Sequence, residues 1–231
     1  MKKLVFAMMA TALLTSCKFD VTKTVSVGPN IEESRQLKNF ERIMLLGSMD
    51  VKYAQADSFS VKVNGPADAV KKVETILEGN VLKVKIKDGD HIIHFGSTDS
   101  GNTTVYVTSP DFLGISLMGS GDFMSVRPLD TDTLSIELKG SGDIHFKDVI
   151  CDQVNVSVIG SGDVSVGNIK TQQARLDLIG SGDIEMNFDN SGAVDAQVKG
   201  SGDITLKGTV KQMNKLVRGS GDIDTDDLQV K

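Results

Sequence analysis

Ile179-Gly180-Ser181-Gly182-Asp183-Ile184 decides the fold, because its four central residues recur through the second half of the chain. Copies of Gly-Ser-Gly-Asp begin at Gly119, Gly140, Gly160, Gly180, Gly200 and Gly219, so they follow one another at nearly equal intervals. A fixed period of this length is typical of folds in which one structural unit is repeated and stacked. The sequence therefore predicts one turn of a solenoid for each copy.

The residues on both sides of each copy alternate between apolar and polar. Before the copy at Gly180, Ala174, Leu176 and Leu178 alternate with Arg175 and Asp177, and after it Ile184 and Met186 flank Glu185. A two-residue period indicates a strand with one buried face. A weaker apolar position follows at Val149, Ile169, Phe188 and Val210. Three sides in about 20 residues predict an all-β fold, a parallel β-helix or solenoid. A two-layer antiparallel meander is the alternative.

Each residue of the repeated motif has a structural explanation as the corner between two strands. Gly supplies positive φ, Ser is small enough to stack, and Asp can accept hydrogen bonds from N–H groups of its own turn. The predicted corner positions are Gly119 and Asp122, Gly140 and Asp143, Gly160 and Asp163, Gly180 and Asp183, Gly200 and Asp203, and Gly219 and Asp222. Stacking would place the carboxylates about 4.8 Å apart, so N–H groups or calcium must offset their repulsion. Calcium takes about 6–8 oxygen ligands and each turn offers one carboxylate, so we expect no metal.

A degenerate copy, Gly47-Ser48-Met49-Asp50, predicts that a single solenoid domain covers residues 40–231. An insertion at about 54–112 interrupts the pattern, with predicted strands at Ser60–Val63, Val81–Lys87 and Thr103–Val107. One short helix is predicted at Pro66–Leu77, with proline in its first turn. Lys215 and Thr225 occupy inward positions of the last turn, so residues 219–231 are predicted to cap the open sheet edge.

The first residues have the layout of an export signal, with Lys2 and Lys3 before an apolar run from Leu4 to Leu14. Leu14-Thr15-Ser16-Cys17 resembles the lipobox of bacterial lipoproteins, which implies cleavage of residues 1–16 and lipidation of Cys17. Residues 17–39 are then expected to form a lipid anchor and tether, and the lipid attaches the protein to a membrane. Cleavage changes the formal net charge from −6 to −8, which argues against nucleic acid as a partner.

Catalysis is the main rival to a binding role, because many parallel β-helices act on polysaccharides. Arg175, Asp177 and Asp195 would lie on adjacent turns and form the best candidate cluster. A mixed-charge outward face is also what solubility requires, so we expect no catalytic residue. His91 and His94 would point to opposite sides of a strand and could not share a metal. Cys151 is expected to fill space in the core.

The lipobox, the repeated corners and their regular period together resemble the putative auto-transporter adhesin, head GIN domain family. The resemblance covers about Phe40 to Val230 and implies a right-handed parallel β-helix-like fold and an envelope location. We therefore expect an outer-membrane lipoprotein that is not an enzyme, needs no cofactor and binds a glycan or protein partner. The alternatives are a carbohydrate-active β-helix enzyme and a purely structural envelope protein.

Overall fold

The computed structural model describes residues 29–87 and 103–231. Its first part contains β1 (Asn30–Arg35), β2 (Arg42–Gly47), β3 (Asp50–Gln55), β4 (Ser60–Pro66), α1 (Ala67–Val70), β5 (Val73–Glu78), β6 (Val81–Ile86), β7 (Thr104–Ser109), β8 (Gly114–Gly119) and β9 (Phe123–Ser125). Its second part contains β10 (Leu129–Gly140), β11 (Ile144–Gly160), β12 (Val164–Gly180), β13 (Ile184–Gly200), β14 (Ile204–Gly219), β15 (Ile223–Asp224) and β16 (Leu228–Val230). No helix in these residues is long and apolar enough to cross a bilayer.

The long strands β10 to β14 stack in parallel, each bending around the sides of one turn. Val156 pairs with Leu176 and Leu176 with Ala196, so the ladder advances by one repeat at each step. This parallel register confirms the β-solenoid with one sequence repeat per turn and excludes the antiparallel meander. The strand before each corner belongs to a face that we call the pre-corner face, and the strand after it belongs to the post-corner face.

The predicted insertion continues the stack. Strand β6 pairs in parallel with β2, and β7 pairs in parallel with β3, so β6 and β7 precede β2 and β3 in the stack. Antiparallel strands then complete this end, with β5 beside β6 on one face and β4 and β1 beside β7 on the other. Spatial order therefore departs from chain order at the start of the solenoid.

Two predictions in this region need correction. The helix expected at Pro66–Leu77 is only the single turn α1, and Val73–Glu78 forms β5 instead. Pairing with β6 satisfies the main chain of that segment, and this tertiary contact outweighs the local helical period. The segment expected to be a tether at 17–39 contains β1, which pairs with β4 from Asn30 to Arg35.

A single apolar core runs from Phe40 to Ile223. Its inward columns are mainly Val, Ile and Leu, as expected, but aromatic rings fill its start. The Tyr53 and Phe112 rings stack with centroids 4.2 Å apart, and Phe123 and Phe146 continue the contact at 5.4 Å. Offset ring pairs of this kind stabilise a core beyond the area that they bury.

The last turn is closed on two of its three sides. Strands β15 and β16 pair with β14 at Ile204–Thr205 and Gly208–Val210. The remainder of β14, from Gln212 to Gly219, pairs with β13 on one side and with no further strand of the described chain. The predicted cap at 219–231 therefore covers the post-corner side and the third side.

Candidate functional site

The corners are built from main-chain hydrogen bonds between successive turns. The N–H groups of Ser161 and Gly162 both donate to the carbonyl oxygen of Gly140, at 2.9 and 3.2 Å. Gly160 has φ of +135°, and a Cβ there would overlap the Gly140 carbonyl. Gly162 would meet the Gly142 carbonyl in the same way. Glycine is therefore required at both positions because the main chain of the preceding turn leaves no room for a Cβ. At the first position the positive φ also favours glycine.

The corner aspartates form a ladder that differs from the prediction in one respect. Each Oδ1 accepts a hydrogen bond from the main-chain N–H of the next aspartate along the stack, whereas the sequence suggested N–H groups of the same turn. The donor and acceptor pairs are Asp122 to Asp50, Asp143 to Asp122, Asp163 to Asp143, Asp183 to Asp163, Asp203 to Asp183 and Asp222 to Asp203, at 2.8 to 3.3 Å. Every corner carboxylate from Asp50 to Asp203 therefore accepts a hydrogen bond from a main-chain N–H.

Metal-binding candidates are few in the part of the chain that the structure describes. No group of three or more His, Cys, Asp or Glu side chains in residues 29–87 and 103–231 has the arrangement of a metal site. His91 and His94 lie outside the described residues, as does Cys17. The corner aspartates point outward one per turn and are exposed.

The predicted cluster on the pre-corner face does come together. Arg175 lies opposite Asp195 across β12 and β13, and its Nε donates to Asp177 Oδ2 at 2.9 Å. This hydrogen bond raises the pKa of the Arg175 guanidinium. Asp195 Oδ1 accepts from Asn214 Nδ2 at 2.8 Å. The cluster lines a shallow depression of about 200 Å³. Arg175 and Asp177 form an ion pair there, and Asp195 is bonded to the Asn214 amide.

A second feature of this face was missed from the sequence. The outward position immediately before the corner forms a column along the stack: Met118, Lys139, Ile159, Ile179, Lys199 and Arg218. Ile159 and Ile179 are neighbours in it and are 41% and 42% exposed. The sequence does contain a signal for this pair. Ile159 and Ile179 are apolar, although the two-residue alternation places their side chains on the solvent side of the strand.

A groove lies at the bend between the third side and the pre-corner face, and we call it the second-corner groove. Its volume is about 690 Å³. The lining residues are Asp130, Thr131, Asp132, Ile150, Cys151, Asp152, Lys170, Thr171, Gln172, Asn190, Gly192, Ala193, Lys211 and Gln212. They come from five successive turns, so the groove runs along the stack axis.

The floor of this groove contains a short polar ladder. Cys151 is only 5% exposed, and its Sγ donates to Thr171 Oγ1 at 3.6 Å. Ser191 Oγ accepts from the Thr171 N–H at 3.1 Å. Burial raises the pKa of the Cys151 thiol. Cys151 therefore fills space as expected, but in a polar column rather than an apolar one.

The irregular turn in β13 shapes the groove. Asn190 has φ of +46°, and the register of β13 with its neighbours shifts around Ser191. Gly192 follows without a side chain, and a Cβ there would overlap the Gln172 carbonyl. The sequence could have revealed the groove's outer wall, because Asp132, Asp152 and Gln172 follow one another at the interval of the repeat. The shift at Ser191 breaks that spacing.

Solved structures share this architecture. A putative adhesin from Bacteroides fragilis is 25% identical with a TM-score of 0.70, covering 87% of this chain and 97% of its own. A putative adhesin from Parabacteroides merdae is 21% identical with a TM-score of 0.65, covering 88% and 97%. A protein from Parabacteroides distasonis described as a putative lipid binding protein is 23% identical with a TM-score of 0.59, covering 88% and 98%. The likeness to the last two proteins concerns the fold alone.

A comparison with curated proteins finds no match. A family model does match the chain, over residues 39–176 and again over 164–231, which together span the solenoid and the corners derived above. The chain therefore belongs to the putative auto-transporter adhesin, head GIN domain family.

Proposed function

We propose that this protein is a lipid-anchored, non-enzymatic binding protein of the outer membrane, and that its pre-corner face binds a glycan or protein partner. Family membership and the adhesin names of the similar structures support a surface or envelope role. Lipidation of Cys17 supplies the membrane attachment in this proposal, since the acidic solenoid has little attraction for anionic headgroups.

The observation that carries the binding proposal is the exposed pair Ile159 and Ile179. Adjacent turns bring the two side chains together on a flat sheet face, where a polar residue would be the ordinary choice. Lys139 and Lys199 flank the pair in the same column. An apolar centre with a charged rim is the arrangement found at protein and ligand interfaces.

The rival enzymatic function would use Arg175, Asp177 and Asp195. Hydrolysis of a glycosidic bond needs one carboxyl group to give a proton and a second carboxylate to act on the sugar or on water. Here Asp177 is paired with Arg175 and Asp195 is bonded to Asn214, so both carboxylates are held by neighbours. This arrangement favours recognition over turnover.

The test of binding compares two sets of variants of the full-length protein, purified from membranes in mild detergent. Ile159→Ser with Ile179→Ser alters the face, and Met124→Ser alters an apolar residue of the post-corner face that is 43% exposed. Binding to immobilised glycans and to immobilised envelope and host-surface proteins is measured. We expect the double variant alone to lose at least tenfold in affinity. Equal binding by all forms would overturn the assignment of this face.

Two further measurements address the remainder of the proposal. Cys17→Ser is expected to abolish incorporation of labelled fatty acid and to release the protein from the membrane fraction. Retention in the membrane without label would contradict the anchor. Detection of glycan turnover that is lost on Arg175→Ala, Asp177→Asn or Asp195→Asn would establish the enzyme instead.

A further inference from the structure

The second-corner groove carries charges of both signs, separated along the stack axis. Asp130, Asp132 and Asp152 lie on its first two turns, and Lys170 and Lys211 lie on later ones. All five side chains are exposed. Within the described residues, no salt bridge joins any of these carboxylates to either lysine. The first two turns of the groove are therefore acidic, and the lysines lie on its third and fifth turns.

The groove also offers neutral contacts beside its charged residues. Ile150 is 55% exposed and presents an apolar surface beside Asp152. Gln172, Asn190 and Gln212 also present amide groups. Gln172 Nε2 donates to Asp152 Oδ1 at 2.6 Å and Asn190 Nδ2 donates to Asp189 Oδ1 at 3.0 Å, and their amide oxygens can accept hydrogen bonds from a ligand. A ligand that fits must combine charges, a small apolar group and polar main-chain-like groups.

The length of the groove sets the size of that ligand. Five turns of a parallel stack at about 4.8 Å span roughly 19 Å, which an extended chain of about six residues covers at about 3.3 Å per residue. The ends of such a segment would reach the acidic and the basic turns together. Its apolar side chain would meet Ile150.

We propose that the second-corner groove binds an extended polypeptide segment that is basic at one end and acidic at the other, lying along the stack axis. This inference rests on the proposed binding function and names a partner class for a second surface. A neutral glycan fits less well, because it would desolvate five charged side chains without giving them partners of opposite charge.

The experiment uses the full-length protein in mild detergent and fluorescent eight-residue peptides. The bipolar peptide is Lys-Lys-Ser-Val-Thr-Ser-Glu-Glu, and the control peptide has the same composition with Lys and Glu alternating. Fluorescence anisotropy gives the affinities. We expect the bipolar peptide to bind at least tenfold more tightly than the alternating one, because only its charges match both ends of the groove.

Charge reversal then locates the site. Lys170→Glu with Lys211→Glu is expected to remove the tenfold preference and to favour a peptide that is basic at both ends. Lys139→Glu with Lys199→Glu makes the same change of net charge on the pre-corner face and is expected to leave the preference intact. Thermal melting verifies that each variant is folded.

Several outcomes would overturn the inference. Equal binding of both peptides would do so, as would an equal effect of the two lysine pairs, which would indicate general attraction between charges. A glycan whose binding is lost in the Lys170 and Lys211 variant would assign the groove to a glycan. If peptides do not bind while Ile159 and Ile179 still mediate partner binding, the inference fails and the proposed function stands.

Discussion

Asp143 Oδ1 accepts a hydrogen bond from the main-chain N–H of Asp163 at 3.1 Å, one turn further along the stack. Asp163 in turn accepts from the Asp183 N–H at 2.8 Å. Each corner carboxylate thus holds the turn above it and lies near the carboxylates of both neighbouring turns. The ladder combines a favourable hydrogen bond with a like-charge repulsion, and the two effects can be separated by substitution.

Asp163→Ala removes the acceptor and should lower the free energy of unfolding by about 1 kcal/mol, the usual net value of one hydrogen bond. Asp163→Asn keeps an oxygen acceptor and removes one charge from the ladder, so its stability should equal or exceed that of the unchanged protein. Urea denaturation followed by circular dichroism measures both. If Asn destabilised as much as Ala, the charge rather than the acceptor would be what the corner requires.

Calcium should not raise the melting temperature of the protein. The corner carboxylates below the last turn already have N–H partners, and one carboxylate per turn falls short of a calcium coordination shell. Differential scanning calorimetry in millimolar calcium, with magnesium as the control, measures this. A rise with calcium alone would show that the ladder binds the ion.

Gly160→Ala should destabilise the fold far more than Gly47→Ala. Both glycines hold the first position of a corner with positive φ, +135° and +120°. A Cβ at Gly160 would overlap the Gly140 carbonyl, whereas no described atom lies within 4 Å of a Cβ at Gly47.

The strained backbone alone costs about 1–2 kcal/mol. The steric overlap at Gly160 should add at least about 2 kcal/mol. The two variants are compared by urea denaturation, or by yield of soluble protein if Gly160→Ala does not fold. Equal losses would mean that φ alone explains the regular spacing of glycine at the corners.

The regular part of the fold was predictable because the same residue types recur at the same distance in sequence from each corner. Each recurrence has the same structural cause. The inward columns of the pre-corner and post-corner faces could be read from two-residue alternation, and the parallel register followed from the nearly equal steps of the repeat. The start of the stack could not be read in this way. Strand β6 pairs with β2 although the two segments are distant in sequence, and no local pattern indicates that pairing. The spacing of apolar residues within 66–77 pointed to a helix.

The candidate surfaces were predictable in part for the same reason. Arg175 and Asp195 were expected to be neighbours because both lie at the same offset before a corner. The second-corner groove depends on Asn190 and Gly192, where β13 shifts its register. This shift occurs in one turn and does not recur in the others. Comparing equivalent positions of the sequence repeats therefore gave no indication of the groove's shape.

Tyr53 should make the protein less stable at high pH. Burial raises the pKa of its hydroxyl from 10.0 to about 12, although a hydrogen bond with Ser109 acts in the opposite direction. The unfolded chain therefore loses this proton first, so the contribution of Tyr53 is complete below about pH 10 and is lost as the pH rises toward about 12.

Urea denaturation between these two pH values tests this expectation with Tyr53→Phe. This variant should lose less stability over the interval than the unchanged protein, because it has no hydroxyl proton to lose. The assignment would be wrong if Tyr53→Phe kept the original pH dependence.

Lys215 is predicted to prevent growth at the open end of the stack. It occupies the inward column above Ala196, and its Nζ donates to the Ile223 carbonyl at 3.3 Å and to Thr225 Oγ1 at 3.2 Å. The strand around it, from Gln212 to Gly219, has an edge that no described strand covers. A charge at an inward edge position discourages pairing with another sheet.

Lys215→Val extends the apolar column to the edge, beside Val217, which is already 40% exposed. Larger species whose fraction rises with protein concentration should then appear in size-exclusion chromatography with light scattering. Lys147→Val makes the same change at an exposed position of β11, which pairs with strands on both sides, and should leave the elution profile unchanged. If both variants associate equally, general surface hydrophobicity explains the effect, and Lys215 has no special role in keeping the edge unpaired.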